Sequence, residues 1–139
     1  MDVASEIASL CDITILSGDD SLTLPLMSLG GRGVISVLSN LIPDRVKALV
    51  SAAASGDFAH ARRLHLQLLP LFKGMFVETN PIPIKTAMAI CGMDTGQLRL
   101  PLCEMSADNR VKLQQLLGEH GVLPRSGPTA QQLMSQSIS

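Results

Sequence analysis

The residues best placed for chemistry are Ser17-Gly18-Asp19-Asp20, directly after the β-branched apolar run Ile13-Thr14-Ile15-Leu16. A carboxylate pair just past a buried strand can accept hydrogen bonds from a substrate, and in barrel folds that strand end holds the active site. The same residue types also cap helices, because an aspartate before a helix satisfies its free N–H groups. Both readings stay open from the residues alone. Ile35 and Ser36 sit inside a second apolar run, Gly33-Val34-Ile35-Ser36-Val37-Leu38. Such residues are ordinarily core, yet the last inward residue of a barrel strand lines the pocket.

Other candidates are weaker. Lys85, in Asn80-Pro81-Ile82-Pro83-Ile84-Lys85, has the chemistry for a Schiff base. It opens a helix rather than projecting from a strand, which favours a solvated or ion-paired amine. Lys47, Lys73 and Lys112 lie on expected helix faces as surface charges. His60, His65 and His120 lack metal spacing, since His60 and His65 fall five residues apart rather than four. Cys11, Cys91 and Cys103 form no Cys-x-x-Cys pair and are expected to be free thiols in a reducing compartment, the cytoplasm. Gly30-Gly31-Arg32-Gly33 precedes a strand, so it is a turn rather than a phosphate loop. There is no Gly-x-Ser-x-Gly elbow. No catalytic residue, metal site or cofactor is assigned. Tyrosine is absent altogether, so this chain cannot supply a phenol.

The elements that would position these residues follow from pattern. Residues 2–10 read as a helix, 13–16 as a strand, and 21–29 as a short helix stopping at Gly30-Gly31. Residues 33–38 read as a second strand, and Pro43 or Asp44 opens a helix to about Ser55. A long helix covers 58–77, with Phe58, Ala61, Leu64, Leu68, Phe72, Met75 and Phe76 on one stripe and Pro70 expected to kink it. Asn80 caps a helix ending near Cys91 and Gly92, and Ser106 caps another to about His120. Residues 124–139, rich in Pro, Gly, Ser and Gln, are expected to be a disordered tail.

Strand, helix, strand makes a parallel βαβ unit. Two parallel strands alone leave both edges open and bury too little. The pattern fits the end of a (β/α)₈ barrel, which takes ~250 residues; this chain has 139. Such a chain should associate or aggregate when isolated. A net charge of -1 offers no basic field, so nucleic acid is not an expected partner. No apolar run reaches the ~18 residues of a membrane span.

Three stretches together resemble one family: Leu16 to Asp20, Gly30 to Val37, and Phe76 to Lys85, with Arg99-Leu100-Pro101-Leu102 as a weaker fourth. They are similar to the C-terminal half of 4-hydroxy-tetrahydrodipicolinate synthases, also called dihydrodipicolinate synthases, over roughly residues 2–123. The resemblance implies a (β/α)₈ barrel with extra C-terminal helices, of which residues 1–123 would hold the last two strands. It implies a pyruvate-dependent lyase. The family condenses pyruvate with L-aspartate 4-semialdehyde, towards diaminopimelate and lysine, through a lysine Schiff base and an enamine, with a tyrosine relaying protons. N-acetylneuraminate lyase shares the barrel but matches the Asn-Pro-Ile-Pro segment less well.

Carried over residue by residue, Ile35 matches the residue whose backbone contacts pyruvate. Gly18 and Asp19 match a segment at the pocket rim. The Schiff-base lysine of the family falls before Met1, and Lys85 matches a different lysine. The implied state is a homotetramer of the full-length enzyme, with this half inactive alone. The alternative is a non-catalytic half-barrel that folds with a partner.

Overall fold

The computed structural model describes residues 1–124. Helix α1 (Asp2–Leu10) leads to strand β1 (Leu16–Ser17), a short 3-10 helix (Asp20–Leu22) and α2 (Thr23–Ser28). Strand β2 (Gly33–Val34) and a second 3-10 helix (Leu38–Asn40) follow, then α3 (Pro43–Ala54), α4 (Phe58–Gly74), α5 (Ile82–Ile90) and α6 (Ala107–Glu119). The two strands are parallel, with Leu16 opposite Gly33 and Ser17 opposite Val34. That is the expected βαβ unit. The expected tail, 124–139, lies outside the described residues from 125 onward.

Local sequence explains where the helices begin and end. Pro43 stands at the first position of α3, where its missing N–H costs nothing. Asp57 caps α4 by accepting from the His60 N–H at 2.9 Å. Pro25 lies in the first turn of α2, and Gly30 follows that helix at φ 99°. Gly31 has a different reason to be glycine. A Cβ there would stand 2.9 Å from the Leu26 carbonyl oxygen.

The core lies between α3, α4, α5 and α6. Leu38, Leu49, Leu71, Phe72, Met75 and Leu117 are its largest fully enclosed apolar side chains. A fully buried Leu or Phe contributes about 1.5–3 kcal/mol relative to exposure.

Several expectations need correction. Both strands are much shorter than the apolar runs: Ile13 is 61% and Ile35 69% exposed. Among the described residues, each strand has only one neighbour and nothing covers the rest of the run. The second run also ends early, because the chain turns into a 3-10 helix at Leu38. On α4, Phe58 and Phe76 at the ends of the stripe are exposed, while Leu71 is fully buried. Helix α4 ends at Gly74 rather than at 77, with Pro70 inside it. Asn80 does not cap α5, whose capping position is Pro81. Ser106 stands at the cap of α6, but its side chain makes no capping bond there.

Candidate functional site

A parallel pair brings the C-terminal ends of both strands to one side. Gly18-Asp19 leaves β1 there, and Ile35 leaves β2 beside it. The Ile35 N–H donates to the Ser17 carbonyl at 2.8 Å, so the two segments are joined at the main chain. Ser17 is buried, and its hydroxyl closes a tight turn. It donates to the Asp19 carbonyl at 2.6 Å and accepts from the Asp19 N–H at 3.2 Å. This turn pushes Gly18 and Asp19 outward, and both are exposed. A Cβ on Gly18 would meet nothing within 4 Å, so Gly18 faces open space in this chain.

The two aspartates do different work. Asp19 is a local cap: its Oδ1 accepts from the Ser21 N–H at 2.8 Å and the Ser21 hydroxyl at 2.9 Å. Asp20 is buried, and its Oδ2 accepts from the N–H groups of Val37 and Leu38 at 2.9 and 3.1 Å. It therefore caps the 3-10 helix after β2, not the helix that follows it in sequence. Asp20 clips the two rim segments together, holding Ile35-Ser36-Val37 against Ser17-Gly18-Asp19. Among the described residues, its buried Oδ1 has no partner. Sequence reasoning found the Asp-Asp pair but not this cross-link, because the partners are main-chain amides that carry no residue signature.

The rim opens onto a groove of about 410 Å³ between α1 and β1, whose walls include Gly18 and Asp19. Ile35 is not part of that wall. The structure brings Gly18, Asp19 and Ile35 to one end of the sheet, but only Gly18 and Asp19 line the groove.

The remaining candidates lie elsewhere. Lys85 pairs with Asp94 at 2.6 Å, the ion-paired arrangement that its helical position favours. That pair holds the Asp94 carboxyl below its usual range, helped by the Thr95 N–H. Lys47, Lys73 and Lys112 lie on α3, α4 and α6. Burial lowers the His65 imidazole and raises the Cys91 thiol. Among the described residues, no three His, Cys, Asp or Glu side chains converge as metal ligands.

Glu78 was not distinguished by sequence spacing. Its Oε1 accepts from Asn109 Nδ2 at 2.7 Å, the Ser106 hydroxyl at 2.9 Å and the Ser106 N–H at 3.1 Å. Those bonds, Asn109 first, hold its carboxyl below the usual range. Glu78 thus ties the start of α6, at Ser106 and Asn109, to the segment that follows α4.

The dihydrodipicolinate synthetase family matches residues 3–120. The chain belongs to this family. It is 56% identical over 119 residues to the 4-hydroxy-tetrahydrodipicolinate synthase of Methanococcus vannielii, covering 86% of this chain and 41% of that protein. The synthase of Endomicrobium trichonymphae is 53% identical over 124 residues, covering 88% and 43%. Among solved structures, the Aquifex aeolicus dihydrodipicolinate synthase superposes with a TM-score of 0.87 at 50% identity, covering 91% of this chain and 43% of that one. The Thermotoga maritima synthase gives 0.84 at 39% identity, covering 88% and 43%. The chain thus spans about two-fifths of the length of these barrel synthases. Among the described residues, no helix is long and apolar enough to cross a membrane.

Proposed function

We propose that this chain supplies the last two strands and the C-terminal helices of a cytoplasmic (β/α)₈ barrel synthase. The reaction is the condensation of pyruvate with L-aspartate 4-semialdehyde to 4-hydroxy-tetrahydrodipicolinate, in lysine and diaminopimelate biosynthesis. The supporting observation is that the Ile35 N–H bonds the Ser17 carbonyl, next to Gly18-Asp19, at one end of a parallel sheet, within a chain 56% identical to a synthase of that name. In this reading, the Ile35 backbone contacts pyruvate and the Gly18-Asp19 turn forms the pocket rim. A lysine outside this chain condenses with the pyruvate carbonyl and releases water. Loss of a methyl proton gives an enamine, whose carbon attacks the aldehyde. Covalent capture makes the carbonyl an electron sink, which eases both proton loss and carbon–carbon bond formation.

The reading makes residues 1–123 inactive alone. The lysines of this chain lie on helices, Lys85 is ion-paired, and there is no tyrosine. The full assembly is proposed as a homotetramer; a related synthase 38% identical to this chain has been characterised as a monomeric variant. The lack of a tyrosine and of a strand-borne lysine also favours a second reading, a non-catalytic half-barrel that works by association.

The test is intact-mass spectrometry after pyruvate and borohydride, which reduces a Schiff base to a stable amine. An adduct is expected on a longer polypeptide or complex containing this sequence, and none on the 139-residue chain by itself. No adduct in any context would favour the non-catalytic reading. An adduct on Lys85 would overturn the placement of the nucleophile.

A further inference from the structure

We propose that Asp20 is a positioning residue for the pyruvate site: by holding the Val37 and Leu38 amides, its carboxylate fixes the direction of the peptide between Ile35 and Ser36. The proposal rests on the synthase reading, in which that stretch of backbone meets pyruvate.

The peptide is anchored on both sides. Before it, the Ile35 N–H donates to the Ser17 carbonyl at 2.8 Å. After it, the Val37 and Leu38 N–H groups donate to Asp20 Oδ2 at 2.9 and 3.1 Å. Between those anchors, neither the Ile35 carbonyl nor the Ser36 N–H bonds another main-chain group among the described residues. A free peptide group clamped at both ends is a preformed contact for a small polar ligand. Each residue between the anchors has two soft dihedral angles. With both ends held, the Ile35 carbonyl has little room to swing. With the Asp20 anchor gone, that backbone must be ordered when the ligand binds, which weakens binding.

The two aspartates are not equivalent in this respect. The Asp19 carboxylate bonds Ser21 and stays within its own turn. Asp20 reaches a segment 17 residues further on. Its setting is also unfavourable, since Asp20 is 1% exposed and its Oδ1 has no partner among the described residues. A buried, unpaired carboxylate oxygen costs stability. Asp20 thus bears that cost on one oxygen while the other holds backbone, an arrangement found where geometry serves a ligand.

The experiment places this sequence in a complete barrel. The matched residues replace their counterparts in the Methanococcus vannielii synthase, with which they are 56% identical over 119 residues. Steady-state rates then give KM and kcat for pyruvate. Asp20→Ala should raise the pyruvate KM about tenfold, the effect of ordering roughly one residue's backbone on binding. Its kcat should change much less, as for a lost interaction that serves ground and transition states alike. Asp20→Asn keeps a neutral acceptor in the same place and should stay within about threefold of the parent KM. Hydrogen exchange at the Val37 and Leu38 amides should quicken at least about tenfold in Asp20→Ala. Leu117→Ala, in the enclosed core of α6, should lower the melting temperature and leave the pyruvate KM unchanged. If Asp20→Ala yields no folded protein, Asp20→Glu replaces it. The longer side chain keeps the charge but displaces the amides, so the KM should still rise above that of Asp20→Asn.

A folded Asp20→Ala whose pyruvate KM rises less than about threefold overturns the proposal. So does an equal rise in Leu117→Ala, which would make the effect one of general stability. Unchanged exchange at Val37 and Leu38 overturns it as well. Trapping with pyruvate and borohydride separates this proposal from the reading beneath it. If the folded parent traps no pyruvate, the synthase reading falls and the proposal with it. If the parent traps pyruvate and the Asp20 variants match its KM, the proposal falls and the synthase reading stands.

Discussion

The segment from α1 to β2 and the segment from α3 to α6 are built on different terms. Residues from Leu38 onward provide most of the core, with Leu49, Leu71, Phe72 and Leu117 enclosed. Helix α1 buries nothing, and the strands hold one another across only two paired positions. The helical region satisfies itself, whereas the region from α1 to β2 has apolar sequence that the described residues do not cover. Hydrophobicity in a sequence therefore does not by itself tell how much of it a chain buries.

Core truncation gives the largest contrast between the regions. Phe72→Ala should cost about 3–5 kcal/mol, while Val3→Ala should stay within about 0.5 kcal/mol. Urea unfolding of the isolated chain measures both, and similar losses would erase the distinction. The rim clip comes next. Asp20→Ala strands the part-buried Val37 and the buried Leu38 N–H groups and should cost about 1–3 kcal/mol. Asp20→Asn keeps an acceptor and should cost less, by the same assay.

Acid sensitivity sharpens the contrast further, because its sources lie in the helical region. His65 has its folded-state pKa below the 6.5 of the free imidazole, lowered by burial. The unfolded chain therefore takes up this proton first. The contribution is complete above pH 6.5 and declines as pH falls through the folded value. Replacing His65 by Gln should flatten the stability profile in that window. Glu78 acts lower on the scale: its pKa sits below 4.5 through its bonds to Asn109 and Ser106. That stability is present above 4.5 and lost as pH falls through the folded value. Glu78→Gln should remove this smaller slope while leaving the His65 window unchanged.

Periodicity made the helices legible, because α3 to α6 each bury part of an apolar face within the chain, although Phe58 and Val111 stay exposed. Proline and glycine marked several of the boundaries, at Pro43 and Gly30 for example. The strands were legible in type and direction but not in extent. Apolar runs at 13–16 and 33–38 looked like buried strands, whereas pairing stops where the neighbours stop. Glycine-rich and proline-rich stretches carried the family resemblance, and Gly18, Asp19 and Ile35 do come to one end of the sheet. The Asp20 and Glu78 contacts were not legible. Each joins a carboxylate to donors from a distant segment, and neither has a spacing rule within one helix or strand.

The Asp20 clip also bears on the order of assembly. Its partners lie only 17 and 18 residues along the chain, and the strand pairing it supports spans the same short interval. Loops of this size cost little entropy to close and form quickly. The Glu78 bond to Ser106 must wait for a segment 28 residues later. During synthesis, the rim can be clipped together before α5 and α6 have been made, so the surface of the cleft takes shape ahead of the helices that anchor it.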